Sequence, residues 1–116
     1  MALPEFTLKL VEKKLGDTCI GRVHEALRHP VRLGYAIEGD CVTLFEERPG
    51  LLDPETRVRL DMARFRFDGR TKKWSLYYAD AGSRWCRYYL KPRANFEFLL
   101  REVDEDPIRV FWWGQG

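Results

Sequence analysis

The feature that most constrains this chain is a run of strict alternation interrupted once by glycine. Val31-Arg32-Leu33-Gly34-Tyr35-Ala36-Ile37-Glu38 alternates with period two, Gly39-Asp40 breaks it, and Cys41-Val42-Thr43-Leu44-Phe45-Glu46-Glu47-Arg48 follows before Pro49. Alternation sends successive side chains to opposite faces of a sheet, and a two-residue loop with glycine suits the tight turns that join antiparallel strands. The spacing predicts a hairpin in which Glu38 pairs with Cys41. Val31, Leu33, Tyr35 and Ile37 then share a face with Val42, Leu44, Glu46 and Arg48. That register carries a carboxylate to the apolar side, where it needs a cation. Arg48 is the first candidate for Glu46 and Arg87 the second.

Farther along, a third strand lies between Val58 and Phe67. Its inward set changes parity, from Val58, Leu60 and Met62 to Ala63, Phe65 and Phe67, which predicts a bulge. Lys73 to Ala79 pairs with Arg84 to Leu90 across a four-residue loop, Asp80-Ala81-Gly82-Ser83. On that spacing Trp74, Leu76 and Tyr78 share the core face with Trp85, Arg87 and Tyr89, and both tryptophans are buried. Ser75, Tyr77, Cys86 and Tyr88 take the second face.

Helical spacing appears at both ends. Phe6, Leu10, Val11, Leu15 and Cys19 predict a helix from Glu5 to about Cys19, with Pro4 in its first turn and a short second helix or loop ending at His29-Pro30. Asn95 caps a second helix carrying Phe96, Phe98, Leu99, Leu100 and Val103, and Asp104-Glu105-Asp106-Pro107 stops it. The tail Ile108 to Trp113 docks as an edge strand or a hydrophobic strap. The expected fold is α+β: an antiparallel five-stranded sheet flanked by an N-terminal and a C-terminal helix on one face, a two-layer sandwich in one domain over residues 1–116.

Several blocks carry a resemblance. Leu33-Gly34-Tyr35-Ala36-Ile37-Glu38-Gly39, Val42 to Pro49, Trp74-Ser75-Leu76-Tyr77-Tyr78, Arg84-Trp85-Cys86-Arg87-Tyr88 and Val103-Asp104-Glu105-Asp106-Pro107 occur in that order before an aromatic tail. Together they resemble a family of bacterial proteins known only as domain of unknown function 3024. The resemblance covers most of residues 5 to 113 and implies a small stand-alone bacterial protein. It brings no catalytic residues.

Composition narrows the function. Twenty basic and 18 acidic residues give a net charge of only +2, so the global field steers weakly toward nucleic acid. The three cysteines contain no CxxC pair and read as free thiols in a reducing cytoplasm. No apolar run approaches ~18 residues, so no membrane span is expected. Cys19, His24 and His29 match no established zinc spacing, and neither metal nor cofactor is expected.

Two constellations remain. Glu46, with Asp104 and Asp106, is the acidic cluster from which an enzyme would draw a general base or metal ligand. No nucleophile, histidine partner or phosphate loop accompanies it, so no catalytic residue is assigned. On the second face, Phe45, Tyr77 and Tyr88, rimmed by Arg84, form an aromatic patch suited to a second copy or another protein. The first reading is therefore a non-enzymatic binding or self-association module in the cytoplasm. Nucleic-acid binding is the alternative, through strands 64–93, which hold nine basic residues against Asp68 and Asp80.

Overall fold

A computed structural model describes residues 3–26, 32–50, 52–53, 55–80, 84–88, 91–107 and 110–111, without the side chains of residues 19–26 and 32. Helix α1 (Glu5–Ala26) precedes strands β1 (Arg32–Glu38), β2 (Cys41–Pro49), β3 (Arg57–Asp68), β4 (Lys73–Ala79) and β5 (Trp85–Arg87), and helix α2 (Phe96–Glu105) follows them. The strands form one antiparallel sheet in the order β1-β2-β3-β4-β5. The α+β architecture is as expected.

The first hairpin has the anticipated register. Glu38 pairs with Cys41, Ile37 with Val42, Tyr35 with Leu44 and Leu33 with Glu46. Gly39 adopts a φ of 60° at the first loop position, a left-handed conformation open to glycine without strain. Between β2 and β3 the register shifts, with Leu44 opposite Ala63 but Phe45 opposite Asp61. Met62 is thus the extra residue of the bulge. Beyond it, Ala63, Phe65 and Phe67 face the core, while Val58 and Leu60, at the uncovered end, stay 43% and 46% exposed.

The second hairpin differs from expectation by one residue. Asp80 N–H donates to Arg84 O (2.8 Å), Arg84 N–H donates to Asp80 Oδ1 (2.9 Å), and Ala79 pairs with Trp85 rather than Arg84. The bonded pair Asp80–Arg84 thus replaces the expected pairing of Ala79 with Arg84. Because side chains alternate, this slip exchanges the faces of the whole strand. Cys86 and Tyr88 turn to the core side, and Trp85 and Arg87 turn to the other. The expected register would have buried the Arg87 cation, whereas the observed one buries a tyrosine whose hydroxyl is bonded.

Both helices cover the same sheet face, α1 over β1 and α2 over β4, because their buried residues join one cluster with Val42, Leu44, Phe65 and Leu76. Helix α1 runs unbroken past Gly21, and its inward stripe is Leu8, Val11 and Leu15. At 100° per residue Phe6 and Leu10 point about 170° and 135° away from the middle of that stripe. They are accordingly 82% and 36% exposed, not core. In α2, Asn95 Oδ1 accepts from Glu97 N–H (2.9 Å), and Phe96, Leu99, Leu100 and Val103 are buried. Phe98 instead lies outside beneath the Arg93 guanidinium, 4.7 Å from its ring centre. The ring of Phe96 packs 4.9 Å from both Phe65 and Trp74.

Lys14 and Glu97 form an ion pair that ties α1 to α2. The hydrogen bond and charge of the ammonium hold the Glu97 carboxyl below its usual range. A carboxyl depressed in the folded state stabilises fully above its unfolded value and loses that contribution as pH falls through the folded one. The melting temperature should therefore decline on the acid side more gently in Lys14→Met than in the wild type. Identical acid limbs would show that the pair contributes nothing.

Candidate functional site

No described element covers the second sheet face. Onto it the register projects Gly34, Thr43, Phe45, Arg59, Arg64, Arg66, Ser75, Tyr77, Trp85 and Arg87. The Phe45 ring lies across Gly34, where an added Cβ would meet its Cε1 and Cζ at 2.9 Å. Only a residue without a side chain admits that approach. Above Phe45 sits the Arg59 guanidinium, 4.1 Å from the ring centre and bonded to Asp61 Oδ1 at 2.7 Å.

Arg64 occupies the middle of the face. Its Nε donates to Thr43 Oγ1 (3.4 Å), and its guanidinium lies 4.4 Å over the Trp85 ring. Tyr77 pairs with Arg64 on one side and Arg87 on the other. An exposed cation–ring stack contributes about 0.5–1 kcal/mol, enough to bias where a flexible arginine rests. The face therefore carries oriented guanidinium planes beside aromatic rings.

The aromatic patch read from sequence is only partly assembled. Phe45 and Tyr77 project as anticipated, and Arg84 stands exposed at the β4–β5 turn. Tyr88 does not join them. It is 1% exposed in the core, its hydroxyl donates to Glu102 Oε1 (2.9 Å), and its ring packs 5.1 Å from Phe111. Trp85 takes its place on the open face, where it is only partly buried, contrary to the core position expected of it. The signal that marks this register is Asp80, whose carboxylate can close the turn on the Arg84 amide.

The acidic residues have separate tasks. Glu46 is 3% exposed, and Arg48 donates to its Oε2 through Nε (2.9 Å) and Nη2 (2.7 Å), as the alternation required. It lines an open cleft of about 230 Å³ with Arg48, Leu60, Met62, Asp80 and Phe111. Neither Asp104 nor Asp106 lines that cleft. Asp106 ends α2 in the left-handed region (φ 47°), and its carboxylate accepts from Val110 N–H at 2.8 Å and Phe111 N–H at 3.2 Å. Those bonds offset the unfavourable placement of an acid at a helix C-terminus and seat the tail. Asp104 is exposed.

Phe111 acts as a strap, 1% exposed against Tyr88 and Tyr78 on the core side. Trp112 and Trp113 lie outside the described residues, as do His29 and the side chains of Cys19 and His24. Burial and the neighbouring Asp40 carboxylate push the Cys41 thiol up, which disfavours a reactive thiolate. No described helix is long and apolar enough to cross a membrane.

With the geometry in place, known proteins supply one link. The model of the family described as Domain of unknown function (DUF3024) matches residues 3–113. The chain belongs to this family. The DUF3024 match spans both helices and all five strands, so the open face lies within the family domain. No curated protein and no solved structure matches this DUF3024 chain.

Proposed function

We propose that this protein is a non-enzymatic binding module of the bacterial cytoplasm that holds single-stranded nucleic acid on its open sheet face. The observation that supports this reading is the β5 register, which sets Trp85 and Arg87 beside Tyr77 and Arg64. Bases stack on rings and on guanidinium planes, while phosphates meet the cations between them. Arg64, held by Thr43 at the middle of the face, stands where a phosphate between stacked bases would meet a cation. Phe45, Tyr77 and Arg84 stay in the partner-binding set, joined by Trp85 and Arg64, and Tyr88 leaves it. Free Cys41 and Cys86 fit a reducing compartment, and the bacterial setting follows the family resemblance.

Fluorescence anisotropy with a labelled pyrimidine oligonucleotide of about a dozen residues tests it. Affinity should fall with salt at a log–log slope of about −0.7 per phosphate contacted. Tyr77→Ser should weaken binding by the ~1–3 kcal/mol that one stacked base contributes. Absence of binding at low salt, or a Tyr77→Ser variant that binds like the wild type, would sink the proposal. A partner of protein character would appear instead as salt-insensitive association lost in Tyr77→Ser.

A further inference from the structure

Pairing of β3 with β4 ends at Ala63 and Tyr78, whereas β2 stays paired with β3 as far as Arg57. Beyond that point β4 turns to β5, with Ala79 opposite Trp85, and the bulge at Met62 bends β3. The sheet thus forks. The cleft of about 230 Å³ fills the fork, between Leu60, Asp61 and Met62 on one side and Ala79, Asp80 and Trp85 on the other. Its volume lies below the ~300 Å³ at which sites for drug-sized ligands begin and equals the share of about seven or eight waters, which suits one small ring. The cleft is continuous with the open face, because Arg59 and Trp85 belong to both.

Leu60, Met62 and Phe111 give the cleft apolar surface, and two ion pairs of 2.7 Å give it charge, Glu46 with Arg48 and Asp61 with Arg59. A buried pair offsets its own desolvation poorly, so the Glu46 pair, turned into a cleft, is better explained by a polar ligand than by stability. Asp61 and Arg59 form the accessible pair, with side chains 38% and 44% exposed. The Arg59 guanidinium is held 4.1 Å over the Phe45 ring while its Nε donates to Asp61 Oδ1. Among the described residues the pair makes no other side-chain hydrogen bond. Its second carboxylate oxygen and its terminal guanidinium nitrogens therefore stand side by side as acceptor and donors.

We propose that the cleft takes one cytosine of the bound strand, stacked against Trp85 and read by the Asp61–Arg59 pair. The inference rests on the reading of the open face as a surface for single strands. Cytosine presents an amine beside a ring nitrogen and a carbonyl oxygen. Asp61 accepts from the amine and Arg59 donates to the two acceptors, while the pair keeps its own bond. Uracil presents an N–H between two carbonyls. One carboxylate beside one guanidinium meets two of those three groups and leaves a carbonyl oxygen unpaired in the cleft. Guanine has an edge that the same pair can meet, and the small volume selects the one-ring base.

Fluorescence anisotropy tests this with two labelled deoxy strands of about a dozen residues, one all cytosine and one all uracil. The wild type should bind the cytosine strand at least about fivefold tighter, the lower end of what one matched base edge contributes. Leu60→Trp fills the fork from a half-exposed position and should bring the two affinities within about twofold, with the uracil affinity and its salt slope unchanged. Arg59→Lys keeps the charge but loses the planar fork of donors, so it should also erase the preference, and it decides the matter if circular dichroism shows Leu60→Trp unfolded. Equal binding by the wild type, or tighter binding of the uracil strand, overturns the inference and leaves the open-face reading standing. So does a cytosine preference that survives both variants, which would put the recognition elsewhere on the face. If neither strand binds, the open-face reading itself fails and this inference with it.

Discussion

Replacing Trp74 with alanine should lower the unfolding free energy by about 3–5 kcal/mol, whereas Trp85→Ala should cost less than about 1.5 kcal/mol. Trp74 is 2% exposed, its ring packs 4.9 Å from both Phe67 and Phe96, and its backbone exchanges hydrogen bonds of 2.7 and 2.9 Å with Arg93. Truncating it removes a large ring from the junction of β4 with α2 and leaves a cavity that the sheet cannot collapse to fill. Trp85 lies on the open face, and what it loses is chiefly the stack with Arg64. Urea or guanidinium melts of the two variants measure the difference. A loss under about 1 kcal/mol at Trp74 would put its ring outside the core, and equal losses at the two positions would refute the β5 register.

The tyrosines should divide in the same way. Tyr88→Ala is expected to cost about 3–5 kcal/mol, as for other buried rings, because it unseats both Phe111 and the bond to Glu102. Tyr88→Phe isolates the hydroxyl and should cost about 0.5–1.5 kcal/mol, the usual net worth of one hydrogen bond. Tyr77→Ser, on the open face, should leave stability within about 1 kcal/mol of the wild type while removing a binding ring. Melts of all three, read beside anisotropy, separate a folding role from a binding role. A Tyr88→Ala variant within about 1 kcal/mol of the wild type would mean that the second hairpin has a four-residue loop and that Tyr88 lies on the open face.

Much of this architecture was legible in local patterns. Glu38-Gly39-Asp40-Cys41 leaves little choice of loop length, so the pairing of Leu33 with Glu46 followed, and with it the need for Arg48 beside a buried carboxylate. Asn95 announced the start of α2 because its side chain can satisfy an amide that the helix leaves open. The parity change between Leu60 and Ala63 announced a bulge. Nothing local marked Met62 as the extra residue, because an apolar side chain is acceptable on either side of the break.

The second hairpin is where local reading gave way. Asp80 to Arg84 can close with three or four residues in the loop at similar local cost, yet the two choices send Tyr88 and Trp85 to opposite faces. Contacts distant in sequence decide between them: Glu102 receives the Tyr88 hydroxyl, Phe111 covers its ring, and Arg87 is spared burial. The same holds for α1, where Phe6 and Leu10 are apolar enough for a core but Leu8, Val11 and Leu15 are the residues that meet the sheet. The sequence by itself determined the elements, their order and the first hairpin, since turns, caps and alternation act over a few residues. Tertiary structure decided which side chains fill the core and which remain on the open face, because that choice depends on groups brought together only when the helices and the tail close over the sheet.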